Sequence, residues 1–143
     1  MVCRRVWMTK ELYTEIILDL YKHPQNKGRL EDFDIEAGGG NPVCGDMVTF
    51  TMKIGGGKIT DIRFYGGGCA ISTAAESLLT EMVKGKSLKE AKEITPEKLF
   101  AELGNIIETR IKCALLGLTV LKMGIGEYER SGGKKAIVKG IVV

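Results

Sequence analysis

Apolar and polar residues change rhythm several times along the chain, and each rhythm predicts an element. Leu12, Ile16 and Leu20 recur every four residues, which predicts a helix over Thr9 to Tyr21 that Thr9 can cap and Pro24 ends. Phe33, Ile35 and Ala37 alternate with Asp34 and Glu36, the pattern of a short strand, and Gly38-Gly39-Gly40-Asn41-Pro42 is expected to break it. Val48, Phe50, Met52 and Ile54 alternate with Thr49, Thr51 and Lys53, the clearest strand in the chain. Gly55-Gly56-Gly57 predicts a hairpin turn, with a return strand over Lys58 to Tyr65 that points Ile62 and Phe64 inward. Ile59 breaks the parity of that strand, so a bulge is expected near the turn.

After Gly66-Gly67-Gly68 the period lengthens. Ile71, Ala74, Ala75, Leu78, Leu79, Met82 and Val83 form one helical face that stops at Gly85. Ser87 and Glu90 have capping-box spacing, and Thr95-Pro96 is an N-cap followed by a first-turn proline, so two short helices follow. Ile107, Ile111, Ala114, Leu115, Leu118 and Leu121 mark a last long helix, with Cys113 beside the stripe. Ser131 to Lys135 reads as a linker, and Ala136 to Val143 as an added strand or a partner-binding tail. The expected organisation is one domain over residues 1–130, then a linker and apolar tail over 131–143. The expected fold class is α+β, a small antiparallel sheet of about three strands packed with helices.

Composition narrows the function. The 143 residues can bury a core of their own, and a net charge of +3 with 6% aromatics argues against a nucleic-acid surface. The longest uncharged apolar stretch, Cys113 to Leu121, is far short of the roughly 20 residues of a membrane span. The first residues show no apolar signal segment, so the expected location is the cytoplasm. Glycine is enriched, at 19 of 143 residues, which calls for close backbone approach or movable loops.

The four cysteines, Cys3, Cys44, Cys69 and Cys113, lack Cys-x-x-Cys spacing. Two disulfides are one reading of an even count, and small buried apolar groups are another. Context favours chemistry for three of them. Cys44 precedes Gly45-Asp46 and the best strand, and Cys69 opens the best helix. A hairpin over Val48 to Tyr65 brings these two thiols together. The positive end of a helix at Cys69 favours thiolate, the form that binds metal or attacks sulfur. Three thiolates with the carboxylate of Asp46 suit an iron–sulfur cluster or zinc, and a carboxylate holds cluster iron less firmly than a fourth thiolate would. On local grounds alone, Asp46 also reads as a turn residue.

Asn41-Pro42-Val43-Cys44-Gly45-Asp46, Gly66-Gly67-Gly68-Cys69-Ala70-Ile71-Ser72 and Arg110-Ile111-Lys112-Cys113 resemble the three signature blocks of the U-type iron–sulfur cluster assembly scaffolds, the IscU, NifU N-terminal-domain and SufU family. Tyr21 to Gly28 and Thr80 to Ser87 are similar to two further family segments, and the likeness spans roughly residues 12 to 122. The resemblance implies an α+β scaffold on which a [2Fe-2S] cluster is built from iron and from sulfur delivered by a cysteine desulfurase, then passed to recipient apoproteins. It implies Cys44, Asp46, Cys69 and Cys113 as ligands of the cluster or of a metal such as zinc, on one subunit or between two copies.

The sequence also departs from the family. Lys112 stands where bacterial and mitochondrial scaffolds have histidine, which is a trait of the zinc-bound sulfur acceptors of the SufU branch. The insertion those acceptors carry between the second and third blocks is missing, and so is the proline-containing chaperone-docking motif before Cys113. Lys112 is expected to act by charge, pairing with Asp46 in the empty site, rather than as a ligand. Cys3 matches no block, and His23 is expected to pack or cap a loop. Three functions therefore compete. They are a cluster scaffold without turnover, a zinc-dependent sulfur acceptor, and a cysteine hydrolase for which His23 would be the only histidine base.

Overall fold

The computed structural model describes residues 15–43, 45–104 and 111–143. The elements in chain order are α1 (Glu15–Lys22), β1 (Ile35–Asn41), β2 (Asp46–Gly55), β3 (Lys58–Tyr65), α2 (Ala70–Val83), α3 (Leu88–Lys92), α4 (Pro96–Leu103), α5 (Ile111–Arg130) and β4 (Ala136–Val142). The predicted start of the first helix at Thr9, and Ile107 in the last, lie outside the described residues.

The α+β class is as expected, and the sheet is larger than expected. It has four strands in the order β3-β2-β1-β4. β1–β2 and β2–β3 are antiparallel, while β4 lies parallel to β1, so the sheet is mixed. The parity break at Ile59 is a real bulge, since the register jumps from Lys53↔Asp61 to Ile54↔Ile59.

The glycines expected to end β1 instead continue it. Gly38, Gly39 and Gly40 pair with Thr49, Val48 and Met47 on one side, and Gly39 and Gly40 pair with Ile141 and Val142 on the other. A ladder needs only backbone donors and acceptors, and here two neighbours supply them. The missing side chains make room: a Cβ on Gly39 would stand 2.5 Å from the carbonyl oxygen of Ile141. The chain's end is thus an added strand, one of the two expected alternatives. Around it, buried Glu36 accepts from Arg29 at 3.2 Å and faces Lys139 at 3.5 Å, while the Lys135 ammonium sits 4.6 Å from the centre of the Phe33 ring.

α2 and α5 pack against the sheet over a core that includes Phe50, Met52, Ile62, Ile71, Leu79, Leu116 and Val120. Full burial of an aliphatic or aromatic side chain of this size contributes about 1.5–3 kcal/mol. The segment from Gln25 to Gly28 covers the outer edge of β3 and ties it to α2. Gly28 N–H donates to Phe64 O at 2.7 Å, Phe64 N–H to Asn26 O at 3.0 Å, and Gln25 N–H to Ser77 Oγ at 2.7 Å. The short helices are capped as their sequences predict. Ser87 and Glu90 exchange both capping-box bonds, and Thr95 Oγ1 accepts from Lys98 N–H.

Candidate metal centre

The β2–β3 hairpin closes tightly at its open end, where Met47 N–H donates to Gly67 O at 2.7 Å. Gly66 makes this crossing possible. Its φ is +147°, and a Cβ there would lie 2.2 Å from the Met47 carbonyl oxygen, so no other residue fits without moving the backbone. The chain then enters α2 with Cys69 at the N-cap. Cys69 N–H donates to Asp46 Oδ1 at 3.1 Å, and Cys69 Sγ lies 3.9 Å from Asp46 Oδ2.

Asp46 opens β2 with its side chain turned inward, only 3% exposed. Cys113 arrives from the first turn of α5 and is buried, whereas Cys69 is partly exposed and forms the open side of the site. One ligand atom from each of Asp46, Cys69 and Cys113 lies within 4.8 Å of the other two. Two sulfur donors and an oxygen donor, from three different elements, thus face one point. That donor set suits zinc or cluster iron. The positive end of the α2 dipole, with the Cys69 N–H, lies at the Asp46 carboxylate.

Cys44 lies outside the described residues, as does Cys3. The turn that carries residue 44 is pinned on either side, with Val43 N–H donating to Asn41 Oδ1 at 3.0 Å and Gly45 N–H to Asn41 O at 2.8 Å. Val43 and Met47 flank it with exposed apolar surface. Lys112 is exposed on α5. The expected pair between Lys112 and Asp46 is not found among the described residues, because the Asp46 carboxylate turns inward to the Cys69 N–H and away from solvent. His23 is exposed, and its backbone N–H closes α1 onto Asp19 O at 2.8 Å.

One residue near the site escaped the sequence reading. Glu76 on α2 is 4% exposed, and its Oε2 has no hydrogen-bond partner. Burial, then the nearby Asp46 carboxylate and Cys69, push its carboxyl well above the ordinary range, with Lys27 opposing weakly. Its sequence signal was its spacing, seven residues or two helical turns after Cys69.

Residues 12–135 match the family profile described as the NifU-like N-terminal domain. The chain belongs to that family. Among its relatives is the iron–sulfur cluster assembly scaffold protein IscU of Aquifex aeolicus, 40% identical over 124 residues that cover 85% of this chain and 79% of that one. The zinc-dependent sulfurtransferase SufU of Bacillus subtilis is 36% identical over 138 aligned positions, covering 82% of this chain and 92% of that one. A crystal structure from Fervidobacterium islandicum, described as an iron–sulfur cluster assembly scaffold for the SUF system, superposes with a TM-score of 0.70 at 28% identity, covering 82% of this chain and 98% of that one. In this NifU-like chain no helix among the described residues is long and apolar enough to cross a membrane.

Proposed function

We propose that this protein is a scaffold on which a [2Fe-2S] cluster is assembled and from which it is transferred. Iron and sulfur are its cargo, a cysteine desulfurase is its sulfur source, and apo iron–sulfur proteins are its recipients. The observation that carries this reading is the convergence of Asp46, Cys69 and Cys113 within 4.8 Å at a site open on the Cys69 side. Cys44, in the adjoining turn, would supply the third thiolate. Thiolates hold iron firmly, while the Asp46 oxygen is the weaker donor and gives the cluster a route out. The protein has no need of a catalytic base in this role. It acts as a carrier, either as one subunit or as a homodimer bridging the cargo.

A second reading has support of its own. Lys112 resembles the SufU branch, and the site would bind zinc as well as iron, which makes a zinc-dependent sulfur acceptor the alternative. The alignment favours the scaffold. The 138 aligned positions with SufU correspond to only 82% of a 143-residue chain, so this chain lacks residues that SufU has.

Anaerobic reconstitution with iron, sulfide and thiol, followed by visible spectroscopy and transfer to an apo-ferredoxin, separates the two. A scaffold gives a [2Fe-2S] spectrum that moves to the acceptor. A sulfur acceptor gives no stable cluster, but a zinc-dependent rise in desulfurase turnover.

A further inference from the structure

One face of the sheet packs against α2 and α5, and the described residues leave part of the other face uncovered. Gly38 and Gly40 turn to that outer face. A Cβ on Gly38 would stand 3.0 Å from Thr49 Oγ1 and one on Gly40 3.3 Å from Met47 Cγ, whereas Gly39 between them faces Val120 on α5. Across the ladder Gly38 pairs with Thr49, and Gly40 pairs with Met47 on one side and Val142 on the other. β1 therefore makes a floor of bare backbone between side-chain walls on β2 and β4. The result is a trough of about 460 Å³ that Pro42 and Lys139 also line.

The two ends of the trough differ in chemistry. At the end nearer Asp46 stand the exposed apolar side chains of Val43, Met47 and Val142. At the other end Leu30 N–H donates to Thr51 Oγ1 at 2.9 Å, which lays the segment before β1 over the sheet. There Arg29, at 3.2 Å, and Lys139, at 3.5 Å, share the one buried carboxylate of Glu36, and Lys135 faces the Phe33 ring. Asp32 and Asp34 lean to Lys53 instead, at 3.1 and 3.7 Å. Positive charge is thus in surplus at this end, and the Lys139 side chain is largely exposed.

We propose that the trough is a docking groove for an extended segment of a partner protein, one that sets an apolar side chain between Met47 and Val142 and a carboxylate against Lys139.

The backbone groups of the floor are already paired to β2 and β4, so the groove offers apolar contact and one charge. That is too few polar groups to orient a small molecule, and it suits alternate side chains of an extended chain. Residues two positions apart in such a chain point the same way, about 6–7 Å from each other, so the segment carries its apolar and acidic residues at that spacing. A second copy of this chain fits less well. A two-fold contact sets trough against trough, concave on concave, with the positive ends of both copies in one interface.

Docking here needs neither metal nor cluster, so metal-free protein is used and the scaffold reading stands or falls separately. Protein labelled with 15N is titrated with the peptide acetyl-Ser-Ser-Leu-Ser-Glu-Ser-amide and with two controls, Leu replaced by Ala and Glu replaced by Lys. The amide signals of Gly38, Gly40 and Gly140 are expected to move and saturate with the first peptide, while those of Gly85 and Gly126, away from the trough, stay in place. Lys139→Glu is expected to weaken that peptide about 3- to 10-fold and to strengthen the Lys control. Thr49→Phe fills the trough from one wall and is expected to abolish the shifts; should it not fold, Lys139→Glu with the charge-swapped peptide decides alone. No saturable shift at these glycines in the parent, equal binding of the Ala control, or unchanged binding in Lys139→Glu would each overturn the proposal. Shifts of the same amides with protein concentration alone would assign the face to a second copy and overturn it as well.

Discussion

The backbone N–H of Cys69 is held by the carboxylate of Asp46, with 3.1 Å between nitrogen and Oδ1, while the second oxygen of the same group lies 3.9 Å from the Cys69 sulfur. One carboxylate thus fixes where α2 begins and also faces the thiol. The two residues are 23 positions apart, and the hairpin between them makes them neighbours. A hydrogen bond to an ionised group contributes about 1.5–3 kcal/mol, so the contact is strong enough to set the loop and weak enough to be exchanged for a metal.

Asp46→Ala removes the weak donor and the loop contact together. Cluster should still assemble on the thiolates, but transfer to an acceptor protein should slow, because no labile ligand remains to be displaced. The orphaned Cys69 N–H should also cost about 1–3 kcal/mol of stability. Transfer is followed by visible circular dichroism against apo-ferredoxin, and stability by urea unfolding. Transfer as fast as in the parent would leave Asp46 with a structural role only.

Single Ser replacements at Cys44, Cys69 and Cys113 should each abolish stable cluster, since each removes a soft ligand, and Cys3→Ser should leave it intact. Iron and sulfide counts per chain decide this. A separate far-ultraviolet spectrum is needed for Cys113→Ser, because Cys113 is buried and a hydroxyl there disturbs packing as well as ligation. Full cluster loading in any of the three ligand variants would break the proposed ligand set.

The hairpin, its bulge and the helix caps were legible because each rests on local chemistry. The alternation from Val48 to Ile54, the parity break at Ile59 and the pairs Ser87–Glu90 and Thr95–Pro96 all act within a few residues. The course of β1 was not legible. Gly38 to Gly40 look like a strand breaker until β4, about a hundred residues later, arrives to pair with them, and nothing local announces that partner. The site divides along the same line. The cysteine blocks could be read in sequence, and the hairpin explains why Asp46 of the first meets Cys69 of the second, while Cys44 itself lies outside the described residues. The depth of Asp46 and the burial of Glu76 depend on how α2 and α5 pack, which a charge pattern does not record. A glutamate on a helix reads as solvated until Gly117 is seen to make room for it.

Burial of Glu76 has a consequence for pH. Its carboxyl is held well above the ordinary range in the folded protein, first by desolvation and then by Asp46 and Cys69. Between the unfolded carboxyl pKa, near 4.3, and the raised folded value, the folded state holds a proton that the unfolded state has lost. Stability from this group is therefore greatest in acid and falls as pH rises through that window. Glu76→Gln has no such proton to lose. The stability difference, variant minus parent, should grow in favour of the variant from pH 4.5 to pH 8 in metal-free protein, as read from urea midpoints. A difference independent of pH would mean that Glu76 is ionised in the folded state.

Lys112 is the remaining departure from the scaffold pattern, and its position argues for a role outside ligation. Its side chain is exposed on α5, one residue before Cys113 turns inward, and the Asp46 carboxylate it was expected to meet faces the Cys69 N–H. A protonated amine has no lone pair for iron. What remains is a positive charge at the rim of the site, where an approaching acidic partner would feel it through solvent. Charges so placed act mainly on association rate and its salt dependence. Lys112→Met should therefore assemble cluster to the parent's iron and sulfide counts when sulfide is supplied chemically. When sulfur is supplied by a desulfurase, loading should slow, and the gap between parent and variant should close as salt rises and screens the charge. Complete loss of cluster in a normally folded Lys112→Met, with chemical sulfide present, would instead make Lys112 a ligand.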